Sequence, residues 1–363
     1  MQSIFVLLSL LTCVFCTTID VFYPEHQIPF KTYVTIRGDG LGMTWDSGFL
    51  LEKVSRNHWQ VNLTVTTPTA LQFKILLNDT VWQKGSNEMV LLNPTSESVN
   101  VFPFFYSEKH SIETHCSVFS PQFHNHRCLR IYFPPSRQEN PYKPLPVMVM
   151  HDGQNLYEDH QAAFGTAWKI QNTLTPLILN GEITEVVVVG IDNTDKRMYE
   201  YSQAFDEEYH SGGGADLYLD FIEKQVLPLV NKMYPNVVTT SNVYLGGSSL
   251  GGLVSCYASY TRPKLYRRAL CISPAFWWSS EHFRTHVLTQ TPPAGIHLYL
   301  DSGDSGPSKD GMRETKLVYY ELERLGISNT YYVDVGGEHS EYFWGARFHI
   351  PLRDLYSPYW RSA

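Results

Sequence analysis

Val243-Tyr244-Leu245-Gly246-Gly247-Ser248-Ser249-Leu250-Gly251-Gly252 is the stretch on which the reading of this 363-residue chain turns. Its apolar start reads as a strand, and the run from Leu250 through Ala258 reads as a helix. Between them Gly247-Ser248-Ser249-Leu250-Gly251 has the spacing G-x-S-x-G. A strand that turns into a helix over so few residues needs small neighbours around the central serine, whose hydroxyl is thrust above the sheet edge. A merely structural Gly-rich turn is the bland alternative. The flanking strand and helix favour a nucleophile elbow at Ser249.

A serine hydroxyl needs a base to take its proton. In a sheet of this kind the partners follow in the order Ser, acid, His, each in a loop after a strand. After Ile296–Leu300 comes Asp301-Ser302-Gly303-Asp304, and after Thr330–Val335 comes Gly336-Gly337-Glu338-His339. His339 is therefore the expected general base. Asp304, in the loop proper, is the favoured acid; Asp301 at the strand end and Asp310 farther along are the alternatives. The oxyanion of a tetrahedral intermediate needs two N–H donors. Leu250, after the nucleophile, supplies one, and Gln154 supplies the other from the loop His151–Tyr157, where Gly153 lets the chain turn.

Outward from the elbow, short β-branched or aromatic runs recur: Val147–Met150, Val186–Ile191, Ala269–Ile272, His297–Leu300 and Thr330–Val335. Such runs fit strands buried on both faces of a mostly parallel sheet. Between them Leu217, Phe221, Val226 and Val230 keep helical period over 216–233, with Asp216 as the N-terminal cap and Pro235 as a stop. Residues 107–363 thus read as an α/β domain flanked by helices. Residues 17–106 have another grain. Thr32–Arg37, Trp59–Val65, Leu71–Leu77 and Met89–Leu92 are short strands between turns, which predicts a small all-β sandwich ending near Val101–Phe105.

Ile4–Phe15 is an apolar run of about a dozen residues, too short for a bilayer and suited to a secretory signal over residues 1–16. An extracellular location is the expectation, and no later run predicts a membrane span. With 28 Lys+Arg against 36 Asp+Glu, net −8, there is no basic footprint for nucleic acid. Export permits disulfides among Cys116, Cys128, Cys256 and Cys271. Cys116 and Cys128 lie in neighbouring strand-like stretches and are expected to bridge; Cys256 and Cys271 read equally as buried thiols. Asn62-Leu63-Thr64 and Asn78-Asp79-Thr80 are glycosylation acceptors in a eukaryotic host. His115, His124 and His126 lack the spacing of a zinc site, and Asp301–Gly311 lacks that of a calcium loop, so no metal is expected. Asp206-Glu207-Glu208 with Gly212–Gly214 reads as a solvated loop, or else a lid.

Several motifs in order carry a resemblance: His151-Asp152-Gly153-Gln154-Asn155-Leu156, Val189–Asn193, Arg197–Tyr201, Gly247–Gly252, Ser273–Trp278 and Gly337–Ser340. With these, residues 107–360 resemble the esterase D branch of the α/β-hydrolases. The resemblance implies that fold, no cofactor, and Ser249 and His339 as the reactive pair of a serine carboxylester hydrolase. The implied substrate is an ester of a carbohydrate, a hydroxycinnamate or a siderophore-like compound, and the mechanism an acyl-enzyme. Acyl transfer to a sugar or lipid hydroxyl is the nearest alternative; a catalytically silent carbohydrate-binding protein on the same scaffold is the more distant one. Relatives often carry their acid three residues after the glycine, and here that position is Gly306, so the acid transfers less firmly than the pair. Trp277, Trp278 and Tyr201 would line the substrate pocket. Leu41–Asp46, Trp59, Phe73–Ile75 and Trp82–Asn87 resemble a starch-binding immunoglobulin-like module. In that reading Trp59 and Trp82 form a glycan platform; otherwise Trp59 sits in the sandwich core and Trp82 covers a sheet edge.

Overall fold

The apolar runs of the larger region become adjacent strands of one sheet. The computed structural model describes residues 16–96, 98–238, 243–359 and 361–362. The leader read over 1–16 lies outside them except for the backbone of Cys16. The chain divides into two units: the described residues up to Tyr106 with those from Pro358 on, and Ser107–Ser357.

In the second unit the strands are β1 (Ser111–Ser120), β2 (Asn125–Phe133), β3 (Leu145–His151), β4 (Val187–Ile191), β5 (Tyr244–Ser248), β6 (Arg268–Ile272), β7 (His297–Gly303) and β8 (Ser328–Asp334). They lie in the order β1-β2-β4-β3-β5-β6-β7-β8. β1, β2 and β4 pair antiparallel, and every pair from β4 through β3 to β8 is parallel. This order, with helices on both faces, is the α/β-hydrolase arrangement. Strand alternation explains the apolar runs. Val147 and Val149 pack in one core with Leu253 and Val254 of α1 (Leu250–Thr261), whereas Met148 and Met150 pack in another with Ile170, Leu174 and Trp344. Both faces of β3 are therefore dry, as a central parallel strand requires.

Two local expectations change. The helix read over 216–233 begins at Ala215 after Gly214, and it is interrupted by a π-turn over Ile222–Val226. Pro228 has no N–H to give and its ring crowds the preceding turn, so the ladder loosens just before it. Leu217 faces solvent, while Phe221, Val226 and Val230 are buried. The acidic loop, in turn, is an ordered hairpin. Phe205–Asp206 pairs with Ser211–Gly212, and the Asp206 carboxylate accepts the backbone N–H of Glu208, Tyr209 and Ser279.

Two disulfides are present. Cys116–Cys128 joins β1 to β2 at a bulge, and Cys256–Cys271 ties α1 to β6. The second is a bridge where the sequence left a pair of buried thiols equally open.

The first unit is all-β. One sheet has four strands, Glu52–Ser55, His58–Thr64, Cys16–Phe22 and Ser98–Val101; the other is built around Thr69–Leu77, between Val34–Asp39 and Glu88–Leu92. Ile19, Val21, Ile36, Phe73 and Ile75 from the two sheets share one core. Arg361–Ser362 runs parallel to Glu88–Leu92, so the chain's last strand belongs here and not with residues 107–357. Trp59 is 5% exposed within this core, which removes it from any surface platform. Trp82 is 39% exposed and stacks on Trp45 with ring centroids 6.2 Å apart, the Arg37 guanidinium lying over its ring.

Candidate active site

Ser249 joins β5 to α1 with φ 57° and ψ −121°, a strained conformation for a side-chain-bearing residue. Its N–H donates to Ile272 O at 3.0 Å, and its carbonyl accepts from Leu253 N and Ala275 N. The turn closes because its neighbours lack side chains. A Cβ on Gly247 would stand 3.1 Å from both the Gly251 backbone and the His151 ring. The result is a partly exposed serine at the carboxyl end of β5, with the Leu250 N–H heading the helix behind it.

His339 follows β8, and its ring meets Trp344 edge-on at 4.8 Å. Its Nδ1–H donates to Asp310 Oδ1 at 2.6 Å, which leaves Nε2 for the cavity side. The structure thus corrects Asp304 to Asp310 as the carboxylate on the imidazole. Asp304 Oδ1 accepts from Gly336 N at 2.7 Å, so it braces the loop that carries His339 without touching the ring. Asp310 reaches the ring from a short turn, Lys309–Gly311, with φ 52°. It is buried, and also accepts from Ser273 Oγ and from Gly303 N. Burial pushes its carboxyl up, but the bonds from His339, Ser273 and Gly303 outweigh it and hold the group below the ordinary carboxylate value.

The remaining alternative, Asp301, has another task. Its Oδ1 accepts from Ser273 N at 2.9 Å and from Arg347 Nη2 at 3.0 Å, and burial raises its carboxyl above the usual range. Arg347 sits amid Asp301, Asp310 and Asp334 and also donates to Ser273 Oγ. Nothing in the sequence pattern singled out Arg347, and Ser273 stood only at the head of a matching motif with no role, because each acts on side chains far away along the chain.

Ser249 and His339 line one cavity of about 500 Å³, together with Asp152, Arg197, Glu341 and Trp344. Asp152 takes a two-pronged ion pair from Arg197, Nε and Nη2 both at 2.8 Å, and a bond from Asn193 Nδ2 at 2.6 Å. Burial raises the Asp152 carboxyl, yet the Arg197 charge outweighs it and leaves the group lowered. Burial also raises the Glu341 carboxyl. Gln154 lies in the turn Gly153–Asn155 after β3, its Oε1 accepting from Asn193 N at 3.1 Å. Gly153 is needed there: a Cβ would fall 2.7 Å from the Gly190 backbone of β4.

The aromatic residues assigned to the pocket divide. Trp277 is 38% exposed and lines a second cavity beside His339. Trp278 is buried with Nε1 donating to Ala204 O at 2.8 Å, and Tyr201 is buried with its hydroxyl accepting from Asp152 N. A buried indole or phenol needs such a partner, and in finding one each stands behind the wall.

Comparisons with known proteins bear on the family and the fold. The Esterase family model ("Putative esterase") matches residues 120–352. The siderophore triacetylfusarinine C esterase of Aspergillus fumigatus is 32% identical over 143 residues, covering 38% of this chain and 46% of that protein. The siderophore enterobactin esterase of Emericella nidulans is 30% identical over 121 residues, covering 29% and 40%. The matches thus span less than half the length of either relative. The enterobactin esterase of Shigella flexneri, solved with enterobactin, shares the fold over 93% of this chain and 92% of its own, with TM-score 0.55 and 17% identity. With its family match running through the elbow, the acid turn and the histidine loop, the chain belongs to the Esterase family.

Proposed function

We propose that the protein is an exported serine carboxylester hydrolase acting on siderophore-type esters. The observation that carries this is the single cavity holding both Ser249 and His339, with the Asp310 carboxylate on the far nitrogen of the imidazole. Ser249 Oγ attacks the ester carbonyl while His339 Nε2 takes its proton; Asp310 holds the ring's tautomer and stabilises the imidazolium. The N–H groups of Leu250 and Gln154 receive the oxyanion. Water then repeats the sequence on the acyl-enzyme, and His339 returns the proton.

Siderophore-type esters are favoured by the two named fungal relatives and by the cavity's lining. Among the described residues that line it, Arg197 is the one Arg or Lys and is neutralised by Asp152, so this wall offers hydrogen-bonding groups. Such a wall suits an uncharged ester rich in amides or hydroxyls more than an anionic one. The apolar leader-like run at the start of the chain and the two disulfides support export.

The test is turnover of a panel of hydroxamate-siderophore, trilactone, feruloyl and acetyl esters by the wild type and by Ser249→Ala. Siderophore-type esters should give the highest kcat/KM, and the substitution should lower kcat by roughly 10⁶-fold, as removal of a triad nucleophile does. Near wild-type kcat in Ser249→Ala would end the serine mechanism.

A further inference from the structure

Two cavities meet at His339. The first holds Ser249; the second, about 530 Å³, is lined by Tyr209, Pro274, Trp277, Ser308 and Glu314 beside Asp310 and His339, without Ser249. We propose that this second cavity is the leaving-group subsite and that it takes an alcohol limb bearing a ring. The inference rests on the serine-esterase reading and deepens it.

The chemistry divides the substrate. When the acyl-enzyme forms, the bond from Ser249 Oγ to the acyl carbon is made and the ester C–O bond breaks. The departing oxygen takes the proton that His339 received from Ser249. The acyl part remains on Ser249 and so occupies the first cavity. The alcohol oxygen stays at Nε2 to take its proton while the limb it carries reaches past the imidazole, and a space that touches His339 but not Ser249 is the second cavity.

Its walls state what the limb looks like. Trp277 is 38% and Tyr209 42% exposed, with ring centroids 5.6 Å apart and planes tilted by 44°. They form an aromatic corner of a cavity that Ser308 and Glu314 also line. Aromatic faces of this kind favour a flat or C–H-faced ring, and those two polar side chains accommodate hydroxyls. The corner is built in advance. Tyr209 stands on the hairpin whose Asp206 carboxylate accepts from Ser279 N at 2.8 Å, while Ser279 Oγ donates to Phe205 O at 2.7 Å. The hairpin is therefore anchored beside Trp277, and the corner is formed before any ester enters.

The test uses methyl and benzyl esters of one acyl group, chosen from the best substrate of the panel. Methanol and benzyl alcohol are of similar acidity, so the ratio of their kcat/KM values reads binding of the ring. Trp277→Ala should lower the benzyl-to-methyl ratio about tenfold, the size of one aromatic contact. Tyr209→Ala, at a 42%-exposed residue of the hairpin, should lower it about threefold to fivefold and stands in if Trp277→Ala folds poorly. A ratio unchanged within twofold in both variants overturns the subsite. Failure of Ser249 to take a fluorophosphonate label overturns the esterase reading itself, a result distinct from active protein whose ratio ignores both substitutions.

Discussion

Ser249 and Asp310 both lie in the left-handed half of backbone space, with φ 57° and φ 52°, yet different bonds hold them there. Around Ser249 the partners are backbone: Ile272 O, Ala275 N and Leu253 N, with Gly247, Gly251 and Gly252 where a Cβ would stand 3.0–3.2 Å from its nearest neighbour. Around Asp310 they are mostly side chains: His339, Ser273 and Arg347, with Gly303 N as a backbone donor. The place of Ser249 depends on local chain geometry. The place of Asp310 depends on residues up to 37 positions away meeting in one buried cluster. Substitutions therefore reach the two in different ways.

The largest contrast is expected at the carboxylates. Asp310→Asn should lower kcat by about 10⁴-fold on the best ester, because an amide cannot hold the imidazole's N–H tautomer. Asp304→Asn changes the brace on Gly336 N and the bond from Ser305 Oγ, and its cost should stay below about tenfold. Steady-state kcat for the two variants decides the matter; a greater loss at Asp304 would return the acid's role to that residue.

Next comes the support of Asp310. Arg347 is nearly fully buried among three carboxylates, and removing one partner of such a group leaves uncompensated charge. Arg347→Leu should lower unfolding free energy by about 3–5 kcal/mol in urea titrations. Arg347→Lys keeps the charge but loses the fork that reaches Asp301 and Asp310 together, so it should recover only part of that stability. Equal stability of Arg347→Leu and wild type would show that the cluster does not hold the acid turn.

How much of this was readable from sequence follows from the same contrast. The elbow was legible because its demand falls on consecutive residues: Gly247, Ser249 and Gly251 declare the geometry themselves. The strands β3, β4, β6 and β7 were legible because sheets buried on both faces need unbroken apolar runs. Among Asp301, Asp304 and Asp310, by contrast, only side-chain direction decides, and spacing carries no record of it. The hairpin at Phe205–Gly212 was read as a loop because its two strands are two residues each and Asp206 is satisfied by Ser279, 73 residues on. Trp59 and Trp82 had opposite fates because strand register, which composition does not set, turns one inward and leaves the other half-exposed.

The smallest effect separates the two regions by pH. His151 packs under the elbow, its ring against Gly247 and its Nδ1 bonded to the Tyr218 hydroxyl at 2.9 Å. Burial pushes its imidazole down to about 4 from 6.5, Asp152 opposing and Arg197 assisting. Between those values the unfolded chain binds a proton that the native protein refuses. Stability from this site is thus complete above pH 6.5 and falls by about 3 kcal/mol as the pH drops toward 4, below which the slope ends. Asp310 behaves differently: its lowered carboxyl stabilises above the ordinary value of 3.8, and that contribution is lost only as pH falls further. Acid should therefore loosen the underside of the elbow before it loosens the acid turn. The measurement is the histidine ring NMR titration, with the His151 resonance identified by its absence in His151→Asn. Its shift should hold constant from pH 7.5 to pH 5, whereas a midpoint near 6.5 would place a charge beneath Gly247 and erase the difference in pH response between the two regions.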